Sequence, residues 1–117
     1  MDVDALVERL RDEEQQAADR VDRAVARATQ PRDEDVPDIG DLGQQTLEKD
    51  TSLREADAAR RHLDEVRAAL ARVEAGTYGL CVVDGEPIER QRLEAVPWAE
   101  RCLPHQEELE SRTRPAQ

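Results

Sequence analysis

The chain has 117 residues, of which 38% are charged and only 2% aromatic, and its formal net charge is −11. So little bulky apolar material excludes a thick globular core and favours long helices that meet along a narrow seam. The acidic balance argues against direct binding to nucleic acid, because no basic cluster is present to neutralise phosphates.

Two long helices are predicted before the first cysteine. The first covers residues 3–29, where apolar side chains recur at three- and four-residue intervals, and Pro31 ends it. The second covers residues 44–75 and is closed by Gly76. We expect the two to pair antiparallel, so that residues 1–75 form a coiled-coil hairpin. The second helix carries two apolar heptad series, Ala56, Leu63, Leu70 and Ala59, Val66, Val73.

The connection between these helices, residues 31–43, is predicted to be an acidic loop at the tip of the hairpin. Proline and glycine argue against a continuous helix here. Each helix would be on the order of 40 Å long or more, which places the tip far from the rest of the chain. A solvated acidic loop is the common alternative for such a charge run. The helix-breaking residues are Pro31, Pro37, Gly40 and Gly43, and the acids are Asp33, Glu34, Asp35, Asp38 and Asp41.

Residues 76–117 are predicted to form a small zinc-ribbon-like finger with a short C-terminal helix. Four residues that could bind a metal fall into a C-x2-D and a C-x2-H knuckle separated by 17 residues: Cys81, Asp84, Cys102 and His105. That spacing is typical of two tight turns that each offer two ligands to one tetrahedral Zn²⁺. The alternatives are an Asp-Gly turn at Asp84, an exposed helical His105, and a structural disulfide between the cysteines.

The finger also contains enough apolar residues to fold without a metal. A hairpin turning at Asp84-Gly85 and a C-terminal helix with Pro104 in its first turn would surround them. The residues expected to pack together are Tyr78, Leu80, Ile88, Leu93 and Trp98.

Neither a membrane span nor a signal peptide is predicted. No apolar run approaches the roughly 18 residues that a spanning helix needs, and the first residues lack the basic and apolar regions of a signal peptide. The protein is therefore expected to be cytoplasmic, where paired cysteines are more often metal ligands than disulfides.

The finger motifs resemble those of the DksA/TraR family of bacterial RNA polymerase-binding regulators. Matching elements at fixed spacing are Gly76-Thr77-Tyr78-Gly79-Leu80-Cys81, Gly85, Ile88, Arg92-Leu93-Glu94-Ala95-Val96-Pro97 and Cys102. Longer members of the family place a coiled-coil hairpin before the finger, so the resemblance covers nearly the whole chain.

The resemblance extends to the hairpin tip, where the family carries a D-x-x-D-x-A motif. Here the corresponding residues run from Asp38 through Asp41 to Gly43, with glycine in place of alanine. In the family the tip enters the secondary channel of RNA polymerase, which implies partner-binding roles for these three residues.

Two departures from the family are evident. Asp84 and His105 replace two of the usual four zinc cysteines, which implies weaker zinc binding. Basic residues that help the family bind guanosine tetraphosphate correspond here to Glu65, Val96 and Gln106. None of these can pair with a phosphate, so the response to that nucleotide is expected to be lost.

The resulting hypothesis is a mostly α protein that regulates transcription by binding RNA polymerase. The alternative is a structural adaptor that joins partner proteins through the coiled coil and finger without acting on transcription. An enzyme is not expected, because no nucleophile–base arrangement or phosphate-binding loop is present.

Overall fold

A computed structural model describes residues 3–29 and 39–113, with side chains from residue 49 onward in the second range. It contains four helices, α1 (Val3–Thr29), α2 (Ile39–Ala75), α3 (Arg90–Ala95) and α4 (Leu103–Thr113). The described ranges contain no strand, only one antiparallel bridge between Leu80 and Pro87. The mostly helical fold is therefore confirmed. The β-hairpin predicted to turn at Asp84-Gly85 is reduced to this single bridge.

Helix α1 has the predicted bounds, but α2 begins at Ile39 rather than at residue 44. Gly40 and Gly43 therefore lie inside a helix of 37 residues. A glycine costs roughly 1 kcal/mol in a helix relative to alanine, which weakens a helix locally without breaking it. Of the predicted loop, residues 39–43 are helical and residues 31–38 lie outside the described residues.

The chain divides into two compact units, and α1 and α2 contribute to both. We call Glu14–Asp64 the helical unit. Among the residues of this unit whose side chains are described, the buried ones are almost all alanine, because two helices that approach closely leave room for little else along their seam. They are Ala17 and Ala24 on α1, with Ala56, Ala59 and Leu63 on α2.

The second unit, here the finger unit, consists of Met1–Glu13 and Glu65–Gln117. It has two apolar clusters. One joins Leu10 of α1 to α2, and the other places Leu6 of α1 among the residues of the finger. The first cluster is Leu10, Val66 and Ala69; the second is Leu6, Cys81, Ile88, Leu93, Ala99 and Cys102.

Two apolar residues of the predicted elements are exposed, and one of them, Leu80, was expected to pack inside the finger. Val3 is 40% exposed and Leu80 is 36% exposed. Leu80 lies between the buried Gly79 and Cys81. Because successive side chains of an extended segment point to opposite sides, burying Cys81 turns Leu80 outward. Tyr78 and Trp98 are partly buried against the clusters, as expected.

None of the described helices is long and apolar enough to cross a membrane.

Candidate metal centre

The first knuckle is a tight loop closed by backbone hydrogen bonds. Cys81 N–H donates to the Glu86 carbonyl and Gly85 N–H donates to the Cys81 carbonyl, both at 2.8 Å. Gly85 has a φ of +73°, a region that favours glycine, so the shape of the loop requires glycine at this position. This turn brings Asp84 back towards Cys81.

The second knuckle is formed by the start of a helix. Cys102 immediately precedes α4, and its carbonyl accepts a hydrogen bond from Gln106 N–H at 3.0 Å. His105 lies three residues further on, and side chains at that spacing meet on one face of a helix. The Cys102 Sγ and His105 Nδ1 atoms are accordingly 2.9 Å apart.

The two knuckles bring all four predicted ligands together. One donor atom each from Cys81, Asp84, Cys102 and His105 lies within 4.8 Å of the others. His105 Nδ1 is 3.4 Å from Cys81 Sγ and 3.7 Å from Asp84 Oδ2. A tetrahedral zinc site with ordinary bond lengths has ligand–ligand distances of about 3.3–3.8 Å. The 3.4 and 3.7 Å distances fall in that range and the 2.9 Å distance between Cys102 and His105 is shorter, so the donor set suits such an ion in its chemistry and lies close to the required spacing.

Asp84 combines the two roles that appeared as alternatives in the sequence. Its Oδ1 accepts a hydrogen bond from Glu86 N–H at 3.0 Å, which stabilises the turn. Its Oδ2 faces His105 Nδ1 at 3.7 Å. One carboxylate oxygen therefore maintains the loop while the other is available to the metal.

The surroundings of the first cysteine favour its thiolate, the form that binds metals. Burial opposes ionisation of Cys81, but backbone hydrogen bonds from Cys102, Val83 and Asp84, with one from the His105 side chain, outweigh it. Together they lower the pKa of Cys81 to about 7.

The other two acids of the site shift in opposite directions. The hydrogen bond from the Glu86 backbone lowers the pKa of Asp84, against the effect of burial. The backbone of His105 favours the Cys102 thiolate, but burial and the neighbouring Cys81 outweigh it and raise the pKa of Cys102. The site thus favours one thiolate beside the Asp84 carboxylate, whereas burial and the neighbouring acids disfavour a second.

Four protein donors fill a tetrahedral coordination sphere, which is the arrangement of structural zinc sites rather than catalytic ones. Cys81 and Cys102 are 2% and 9% exposed, so both sulfurs belong to the core of the finger unit. An ion bound by all four donors would link the Cys81 loop to α4 and would leave no open position for a substrate.

The remaining predicted site residues lie elsewhere. Asp38 is outside the described residues, whereas Asp41 and Gly43 lie in the first turns of α2, where only the backbone is described. Glu65 is exposed on α2, and Val96 is partly buried beside the finger core.

Sequence reasoning missed the short helix α3 and two arginines around it. Arg92 was noticed only as part of a motif, and its role comes from its hydrogen bond to the Arg101 carbonyl at 2.8 Å. Arg72 on α2 donates to the Trp98 and Ala99 carbonyls at 3.3 and 3.5 Å. Nothing distinguishes Arg72 in an arginine-rich helix, so no sequence signal could have identified it.

Comparisons with known proteins identify relatives of this chain. The family model for the prokaryotic dksA/traR C4-type zinc finger matches residues 76–111. The RNA polymerase-binding transcription factor DksA of Caulobacter vibrioides is 36% identical over 95 residues, which cover 81% of this chain and 67% of that protein. General stress protein 16O of Bacillus subtilis is 41% identical over 61 residues, 52% of this chain and 36% of that protein.

The fold has a counterpart among solved structures. Transcription factor DksA2 from Pseudomonas aeruginosa superimposes with a TM-score of 0.76 and 29% identity, covering 96% of this chain and 85% of that one. The chain belongs to the DksA/TraR family.

Proposed function

We propose that this protein is a bacterial transcription regulator that binds RNA polymerase. The proposal rests on the similarity to Caulobacter DksA, a polymerase-binding factor by name, over 81% of the chain. That similarity extends well beyond the finger at residues 76–111 and therefore includes the paired helices. The relatives bearing this name are described as transcription factors rather than enzymes, and the closed ligand set also favours binding over catalysis.

The acids of the hairpin tip carry the regulatory effect in this proposal. Asp41 is the third residue of α2, and Asp38 precedes the helix by one residue. A chain with a net charge of −11 suits a basic channel of a larger protein. Carboxylates delivered there could act on bound Mg²⁺ or on the elements around it, because Mg²⁺ prefers oxygen ligands.

Neutralising the two tip acids tests the proposal. The double variant Asp38→Asn with Asp41→Asn is compared with a second double variant, Glu34→Gln with Asp35→Asn. Both variants remove two negative charges from the same segment. We expect wild type and both variants to bind bacterial core polymerase in a pull-down. Only the Asp38/Asp41 variant should lose the effect on open-complex lifetime.

Two outcomes would contradict this function. Failure of the wild-type protein to bind core polymerase in the pull-down would contradict the polymerase hypothesis and favour an adaptor role. Equal loss of regulation in both double variants would show that total charge acts, rather than the two aspartates.

The finger is proposed to hold one structural Zn²⁺ through Cys81, Asp84, Cys102 and His105. Asp84→Asn isolates the metal role, because an amide oxygen can still accept the hydrogen bond from Glu86 N–H while the anionic ligand is lost. We expect one zinc per wild-type chain, and weaker zinc binding by the variant in competition with a chelating dye. Equal zinc affinity would show that Asp84 acts only in the turn.

Insensitivity to guanosine tetraphosphate is a further part of the proposal. Glu65 is exposed and acidic, Val96 is partly buried, and Gln106 contacts Glu110 at 3.3 Å. These positions supply no cation for a phosphate. Adding the nucleotide to a transcription assay should leave the effect of this protein unchanged, and potentiation by the nucleotide would contradict the proposal.

A further inference from the structure

The segment that leads into the second knuckle, Pro97–Arg101, has an unusual pattern of hydrogen bonds. It connects α3 to α4 without regular secondary structure of its own. Pro97 and Ala99 are nevertheless buried. A buried irregular segment must find partners for its carbonyls outside a helix or sheet, or lose stability for each one left unpaired.

All five carbonyls of this segment find donors, four of them on side chains. Tyr78 Oη donates to the Pro97 carbonyl at 2.9 Å, and Val82 N–H donates to that of Glu100 at 2.8 Å. Arg72 Nη2 donates to the carbonyls of Trp98 and Ala99. Arg92 Nε donates to the carbonyl of Arg101. The segment is therefore held at every residue up to Cys102.

Arg72 is held in this position at a cost. Its side chain is only 14% exposed, and among the described residues its Nε has no hydrogen-bond acceptor. Burial lowers the pKa of Arg72, and Glu100, whose carboxylate lies 3.9 Å away, only partly opposes this. A partly buried guanidinium is unfavourable unless its hydrogen bonds compensate. The compensation here is the pair of carbonyls that it holds.

We infer that Arg72 and Arg92 are positioning residues that fix the Pro97–Arg101 segment, so that the finger folds before any metal binds. In many small zinc domains the metal itself orders the ligand loops, and the metal-free chain is unfolded. Here side chains from α2 and α3 perform that task. Metal binding then adds to a folded domain instead of creating it.

The inference has two consequences that can be measured. The metal-free finger keeps its structure in the wild-type protein, and zinc affinity depends on residues that do not touch the ion. The second consequence rests on the zinc site proposed above, whereas the first does not. Loss of residues that orient ligands typically weakens metal binding by about 10- to 100-fold.

The test uses the full-length protein and its single tryptophan, Trp98, whose carbonyl is one of those held by Arg72. Variants Arg72→Met and Arg92→Met are compared with Arg90→Met. Arg90 lies on α3 beside Arg92, its side chain is 65% exposed, and its partner among the described residues is Glu94, in a surface ion pair within the same helix. Each protein is stripped of metal with a chelator under reducing conditions, and Trp98 fluorescence and zinc affinity are measured.

We expect chelation to leave Trp98 emission unchanged in wild type and in Arg90→Met. Metal-free Arg72→Met and Arg92→Met should show a red-shifted, solvent-exposed Trp98 that zinc restores. Both should bind zinc about 10- to 100-fold more weakly than wild type. Arg92→Lys, which keeps one donor for the Arg101 carbonyl, should recover part of the loss.

Two results would overturn the inference, and a third would separate it from the proposed zinc site. Chelation that exposes Trp98 in the wild-type protein would show that the metal orders the finger. Arginine variants that behave like Arg90→Met would show that the hydrogen bonds do not hold the segment. If wild type binds no zinc but keeps Trp98 buried, and Arg72→Met exposes it, the zinc site is removed while the folding inference is supported.

Discussion

The helical unit and the finger unit solve the same problem, burial of the backbone, by different means. Along α1 and α2 of the helical unit, backbone carbonyls accept hydrogen bonds from N–H groups four residues further on, so four alanines and Leu63 suffice as the buried seam among its described residues. In the finger unit the Pro97–Arg101 segment has no such repeat, and it takes donors from Tyr78, Arg72 and Arg92. The difference shows that regular structure needs only small apolar residues, whereas irregular structure needs specific polar side chains.

The largest effect is expected from removing the core of the finger unit. Leu93 is fully buried on the six-residue helix α3. Leu93→Ala should lower the free energy of unfolding by about 2–5 kcal/mol, because it removes buried methyl groups and leaves a cavity. Urea unfolding followed by Trp98 fluorescence measures this change.

Leu53→Ala in the helical unit is the matched control, since Leu53 is 46% exposed. It should change stability by less than about 0.5 kcal/mol. Equal losses at both positions would mean that the finger has no distinct core.

A smaller effect is expected from overfilling the alanine seam of the helical unit. Ala17 is 1% exposed, so Ala17→Leu should cost about 1–3 kcal/mol by forcing the two helices apart. Ala58→Leu, beside the seam residue Ala59, is the control, because Ala58 is exposed and borders a groove of about 360 Å³. Thermal unfolding followed by circular dichroism compares them. A seam that tolerates leucine as well as this control position does would not be closely packed.

Removing one side-chain donor from the finger unit should cost less again. Tyr78→Phe deletes the hydrogen bond to the Pro97 carbonyl and should lower stability by about 0.5–1.5 kcal/mol. Unfolding by urea at neutral pH, compared with wild type, measures the loss. A variant as stable as wild type would show that water replaces the phenol at this carbonyl.

The surroundings of Tyr78 also predict that the stability of the protein depends on pH. Burial raises the pKa of Tyr78, although Arg72 and Arg9 oppose it. Since the folded state favours the neutral phenol, this contribution to stability is complete below the ordinary pKa of about 10 and is lost as pH rises through the folded value. Phenolate absorbance of the only tyrosine should therefore titrate at higher pH in the folded than in the unfolded protein. Identical phenolate titration curves for the folded and unfolded protein would refute the predicted rise in the pKa of Tyr78.

The smallest effect is expected from the surface ion pair of the helical unit. Arg27 and Glu55 lie 3.5 Å apart and are 59% and 54% exposed. Arg27→Gln should change the free energy of unfolding by less than about 0.5 kcal/mol, because solvent and salt screen exposed pairs. Measurement at low and high salt checks this. A loss above 1 kcal/mol at either salt concentration would place this pair among the main contributions to the unit.

Much of the fold could be predicted because it depends on local patterns. The period of the apolar residues located α1, and the C′ glycine Gly76 located the end of α2. The start of α2 could not be located from the sequence. Gly40 and Gly43 each cost some helix stability, but the rest of this 37-residue helix is stable enough to include them. Helix α3 was missed since six residues without a side-chain cap give no periodic signal.

The ligand set was predictable from spacing, but its geometry was not. The sequence by itself determined that there are two knuckles of two donors each, because only two residues separate the donors of each pair and a tight turn brings them together. Only the tertiary structure decided that Asp84 both shapes its loop and faces His105, and that Arg72 reaches the carbonyls after Pro97. Periodicity and spacing act between near neighbours in the chain, whereas partners 26 residues apart meet only once the finger packs against α2.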